Sequence, residues 1–104
     1  MLKKIKDQMV NVHNHTQPAT TSSSALTGKG ILHGIELKTD GQKDVTLNIY
    51  DNTAASGTRL LTSNISILGT SNLVMIDISR YFAKGVYVEI STSGTCSYIL
   101  EYDN

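Results

Sequence analysis

From Ile31 onward the chain alternates apolar and polar positions with period two, the mark of strands that turn one face to a core. Ile31, His33, Ile35 and Leu37 fall on one face, with Leu32, Gly34, Glu36 and Lys38 on the other. Val45, Leu47 and Ile49 then alternate with Thr46, Asn48 and Tyr50. A turn over Thr39–Lys43 makes these two runs adjacent antiparallel strands in the simplest reading. Strands are predicted next at about 59–62 and 64–68, which one bent strand also satisfies. Leu73–Ile78 follows, with Val74, Ile76 and Ile78 opposite Leu73, Met75 and Asp77. Tyr81 and Phe82 read as aromatic plugs at a loop corner. Val86, Val88 and Ile90 mark another strand, and Ser93-Gly94 predicts a tight hairpin into Thr95–Tyr102, where Cys96, Tyr98, Leu100 and Tyr102 share a face.

Six or seven short strands with no convincing helix predict an all-β fold, two antiparallel sheets packed as a jelly-roll-like β-sandwich over residues 30–104. A sandwich fits better than a closed barrel, although periodicity alone leaves both open. Ile35, Leu47, Ile49, Ile76, Val88, Ile90 and Leu100 are the expected core.

Before Ile31 the pattern is different. Leu2, Ile5, Met9 and Val12 are spaced as one stripe of a short helix, yet Val10 and Val12 also alternate as in a strand. Residues 13–30 are small, polar and aperiodic, which predicts an extended linker without a core of its own. Residues 1–29 are therefore read as an N-terminal arm whose removal leaves a folded body.

Composition agrees with short strands and tight turns: Ser and Thr are abundant, with eight Gly and one Pro. The formal charge of zero hides an asymmetry. The arm holds Lys3, Lys4, Lys6 and Lys29 against Asp7 alone, whereas acids outnumber bases in the body. An acidic body argues against nucleic-acid binding, which needs a basic face. Met1–Lys6 is basic, but neither a signal-type apolar run nor a membrane-length one follows, so ordinary secretion and membrane spanning are not expected.

Candidate chemistry is sparse. Cys96 is the single cysteine, read as a small core hydrophobe without a disulfide. His13 and His15 form an HxH pair with no nearby third ligand, so a solvated or interface arm is preferred to a metal site. His33 is read as a hydrogen-bonded core or interface histidine. Asp51-Asn52-Thr53 lacks the glycine and terminal Glu of a calcium loop and reads as an Asx-type turn. There is no nucleophile elbow, P-loop or dinucleotide fingerprint. No enzyme, cofactor or metal is expected. Tyr50, Tyr87, Tyr98 and Tyr102 keep sugar binding open as a lesser reading.

The run Thr27-Gly-Lys-Gly-Ile-Leu-His-Gly-Ile-Glu-Leu, followed by Val45-Thr-Leu-Asn-Ile-Tyr-Asp-Asn-Thr-Ala-Ala-Ser-Gly-Thr-Arg-Leu, resembles a pattern in small virion structural proteins of tailed bacteriophages. Lys84-Gly-Val-Tyr-Val-Glu-Ile-Ser resembles their closing strands, and the likeness spans about residues 24–102. It implies a β-sandwich that decorates or stabilises a capsid, located in the virion after assembly in the host cytoplasm. A tail, collar or fibre component and a carbohydrate-binding adhesin module are the alternatives. The implied partners are capsid or other virion proteins and further copies of the chain, with no nucleic acid and no membrane. The arm has no match in this pattern. Its Leu2, Lys3, Lys4, Ile5, Lys6, Met9 and Val12 are the expected partner-binding residues, with the apolar side chains dominating because exposed lysine pairs contribute only about 0–1 kcal/mol each.

Overall fold

A computed structural model of the chain describes residues 14–40, 43–65 and 73–104. Eight strands follow one another: β1 (Asn14–His15), β2 (Ser23–Thr27), β3 (Gly30–Thr39), β4 (Val45–Tyr50), β5 (Arg59–Ile65), β6 (Leu73–Phe82), β7 (Gly85–Thr92) and β8 (Cys96–Asp103). They form two antiparallel sheets of four, in the orders β1-β8-β3-β6 and β2-β7-β4-β5. Two four-stranded sheets with this interleaved order form the double Greek key of a jelly roll. The expected all-β sandwich is the fold. Among the described residues no helix is long and apolar enough to cross a membrane.

Alternation puts the core where the pattern placed it. Ile35, Leu47, Ile49, Val88 and Leu100 are buried, and Ile76 and Ile90 are partly buried against them. Leu26, Leu32, Leu37, Val45, Leu60, Phe82, Val86 and Tyr98 complete the cluster.

Both predicted hairpins are corrected. β3 pairs with β6 and β8, and β4 pairs with β5 and β7, so these successive strands lie in opposite sheets. The same holds for β7 and β8, which Ser93-Gly94 was expected to join as partners. In each case the successive strands are interior strands on opposite sides of the core. The physical reason is that period two reports only which face is apolar, and strands facing each other across a core alternate just as paired strands do. The two connections meet, because the Asp40 N–H donates to the Thr95 carbonyl at 3.1 Å and the Thr95 N–H donates to Asp40 Oδ2 at 3.2 Å.

The faces of β3 also change part-way along the strand. A bulge between Leu32 and Gly34 leaves His33 as the extra residue against β8, while against β6 the extra residue falls on β6, between Asp77 and Arg80. Leu32 is thereby fully buried and Ile31 exposed, the reverse of a strict alternation. On β6, Ser79 sits opposite this irregularity with φ of 54°. Tyr81 and Phe82, expected at a loop corner, are the last two residues of β6. Phe82 enters the core and Tyr81 points to solvent.

Residues 14–29 lie within the sandwich. β1 pairs with β8 through Asn14↔Tyr102 and His15↔Glu101. The chain continues along β8, with the Leu100 N–H donating to Thr16 Oγ1 at 2.9 Å and Ala19 exchanging backbone hydrogen bonds with Tyr98. It then crosses to the other sheet, where Ser22 Oγ accepts from the Ile90 N–H at 2.9 Å and β2 pairs with β7. The reading as an arm without its own core covers residues that give one strand to each sheet, β1 and β2. What it missed is Leu26, one apolar side chain among small polar ones, which is buried in the shared core.

The turn between β6 and β7 is held from a distance. Asp51 accepts backbone N–H groups from Ala83 at 3.0 Å and Lys84 at 2.8 Å. Partial burial alone would raise its pKa, but the N–H groups of Lys84, Ala83 and Gly85, with the Lys84 charge, together hold it below 3.8. Beside it, Asn52 makes the expected local turn, accepting from the Thr53 N–H at 2.8 Å and donating to the Ser56 carbonyl at 2.9 Å. Replacing Asp51 by Asn is expected to cost about 1 kcal/mol at neutral pH, the worth of charge-assisted bonds discounted for solvent screening. A depressed folded pKa contributes stability above the unfolded value and loses it as pH falls through the folded one. Urea melts of both proteins should therefore converge below pH 3.8.

Candidate functional site

The two outer faces of the sandwich differ in chemistry. On the β2-β7-β4-β5 sheet the outward positions include Thr46, Asn48, Glu89 and Ser91. Asn48 Nδ2 donates to Glu89 Oε1 at 3.0 Å, the Tyr50 hydroxyl reaches the same oxygen at 3.3 Å, and Arg59 lies over the Tyr50 ring at 5.5 Å. Asn48 Oδ1 is buried without a partner. This face is polar and largely internally bonded.

On the β1-β8-β3-β6 sheet the outer face is mixed apolar and ionisable. Among the described residues, the four exposed large hydrophobics belong to β3 and β6: Ile31 (43% exposed), Leu73 (52%), Met75 (63%) and Tyr81 (62%). Register sets them in rows across the sheet. Tyr81 lies beside Ile31 and Asp103; Asp77 beside Gly34, Glu101 and His15; Met75 beside Glu36 and Ile99; Leu73 beside Lys38 and Ser97. Gly34 lets the β6 backbone approach closely in its row, since a Cβ there would come within 2.6 Å of the Ile76 carbonyl oxygen.

His33 belongs to this face. The bulge turns it away from the inward position expected for it, and its Nε2 lies 2.8 Å from Asp103 Oδ2. It is a hydrogen-bonded histidine at a surface, not a core one. Farther across, His15 Nε2 is 3.9 Å from Glu101 Oε1, and Glu36 joins them so that one ligand atom from each lies within 4.8 Å of the others.

β6 explains why this face was hard to foresee. Leu73-Val74-Met75-Ile76 is apolar on both sides, a pattern suited to a strand covered on both faces. Here β6 is at the sheet edge, pairing with β3. Val74 and Ile76 turn to the core while Leu73 and Met75 are open to solvent. The signal in the sequence was the unbroken apolar run itself.

The other expected site residues are dispersed or outside the described residues. Leu2, Lys3, Lys4, Ile5, Lys6, Met9 and Val12, and also His13, lie outside them. Of the four tyrosines considered for sugars, Tyr50 and Tyr98 are buried, the latter donating its hydroxyl to the Thr21 carbonyl at 2.7 Å. Cys96 is half-buried against the core, and burial followed by the nearby Asp40 charge raises its thiol pKa. It suits packing better than nucleophilic chemistry.

No family model matches the chain, and neither a curated protein nor a solved structure matches it. Its chemistry is therefore read from its own surface. A flat apolar edge beside a row of charged groups suits contact with another macromolecule.

Proposed function

We propose that the chain is a structural protein of a tailed-phage particle, a decoration protein that binds the shell through the outer face of the β1-β8-β3-β6 sheet. The supporting observation is the asymmetry between the two outer faces, since among the described residues the four exposed large hydrophobics gather on one of them. A jelly roll suits a rigid platform for such a contact, and the resemblance of about residues 24–102 to virion proteins suggests the class of partner. Leu2, Ile5, Met9 and Val12 of the N-terminal segment would add apolar anchors, and Lys3, Lys4 and Lys6 a weaker, salt-sensitive contribution.

The test is co-purification with particles of a doubly substituted protein, Leu73→Asp with Met75→Asp. Both side chains are exposed, so the body should melt within about 1 kcal/mol of the parent. Central interface residues typically cost about 2 kcal/mol or more when lost. Binding should therefore fall roughly 30-fold or further. Binding at parental occupancy by the folded variant would show that this face is not the attachment surface.

A further inference from the structure

From the geometry we infer that His15, Glu36 and Glu101 form a binding site for a divalent transition metal of the zinc class, clamping the first strand of the sandwich to its neighbours. The three residues come from three adjacent strands, β1, β3 and β8. His15 is directly opposite Glu101, and Glu36 stands opposite Ile99, the diagonal neighbour of Glu101 on the same face. Long side chains on diagonal neighbours of a sheet reach one another. One donor atom from each residue already lies within 4.8 Å of the other two, with His15 Nε2 and Glu101 Oε1 at 3.9 Å. Ligands about 2.0–2.2 Å from a tetrahedral zinc are roughly 3.3–3.5 Å apart, so small rotations of these side chains close the site.

Charge points the same way. Two carboxylates converge here with a histidine, and among the described residues neither is paired with lysine or arginine. Like charges this close repel, and a cation between them turns the repulsion into attraction. The donor set selects the metal. An imidazole nitrogen with two carboxylate oxygens suits zinc and its neighbours, whereas calcium and magnesium prefer six or more oxygens or a largely hydrated octahedron. Three protein ligands leave the fourth position to water.

β1 gives the site a consequence. It is two residues long and has two register pairs with β8. A metal held by His15 and by the longer β3 and β8 would tie β1 to the rest of its sheet. Sequence spacing concealed this, because His15 was weighed only with His13, while its partners lie at positions 36 and 101. The site stands independently of any role in a particle.

The experiment is zinc titration of the full chain by calorimetry, with metal content measured after dialysis and thermal melts with and without zinc. One zinc per chain is expected, with a higher melting temperature. His15→Ala, Glu36→Gln and Glu101→Gln should each weaken zinc by at least the roughly 10–100-fold that loss of a ligand's supporting partner costs. Without metal, Glu36→Gln and Glu101→Gln should melt no lower than the parent, since each removes a repulsion; this separates lost binding from lost folding. His13→Ala should retain zinc. The inference is overturned by the absence of stoichiometric zinc, by a preference for magnesium, or by zinc that survives both glutamate changes but is lost with His13→Ala.

Discussion

Removal of residues 1–29 is expected to abolish cooperative folding, in contrast to the free-standing body that the amino-acid pattern suggests. The deletion takes β1 and β2 out of the two sheets. It strips Leu26 from the core, a loss of about 2–5 kcal/mol by comparison with large-to-small core changes. The Tyr98 hydroxyl is bonded to the Thr21 carbonyl and to Ser23 Oγ, so both its partners leave with the segment. A buried hydroxyl without partners costs about 1–3 kcal/mol more. Together these losses rival the whole stability of a domain, about 5–15 kcal/mol. A chain cut after residue 13 keeps every described strand. Urea unfolding followed by circular dichroism should show a sigmoidal transition for the second deletion and none for the first. A full transition for the first would mean that β2 is dispensable.

Phe82→Ala should be the most damaging single truncation in the core. The ring is completely buried where β6 ends, opposite Gly30. Any Cβ at Gly30 would lie 2.8 Å from the Phe82 Cζ atom, so the ring packs directly over the glycine backbone. Aromatic truncations of this kind cost about 3–5 kcal/mol. The predicted result is a matching fall in unfolding free energy with an unchanged denaturant slope. A loss below about 1 kcal/mol would show that the β3–β6 end of the core is loosely packed.

How far the fold was legible follows from what period-two patterning encodes. It reports the inward face of a strand, and so Leu47, Ile49, Val88 and Leu100 were found in the core. It does not report which strand lies alongside, and so the connections after Thr39 and Thr92 were read as hairpins. The bulge at His33 depends on pairing with β6 and β8 at once, which no local pattern contains. Leu26 was hidden because a lone apolar residue among Ser, Ala and Thr carries no period. The ionisable cluster is of the same kind, since residues 15, 36 and 101 become neighbours only through the order β1-β8-β3. The exposed apolar edge was legible in part, as an apolar run on both faces of Leu73–Ile76 whose meaning depended on β6 being at an edge.

The central claim is that this jelly roll works by contact, through the outer face of its β1-β8-β3-β6 sheet. The most direct measurement is a reconstruction of the assembled phage particle in which the chain can be traced. Many copies are expected on the shell, with Ile31, Leu73, Met75 and Tyr81 covered by a neighbouring protein. Copies that leave those four side chains in solvent, or a particle that lacks the chain altogether, would contradict it.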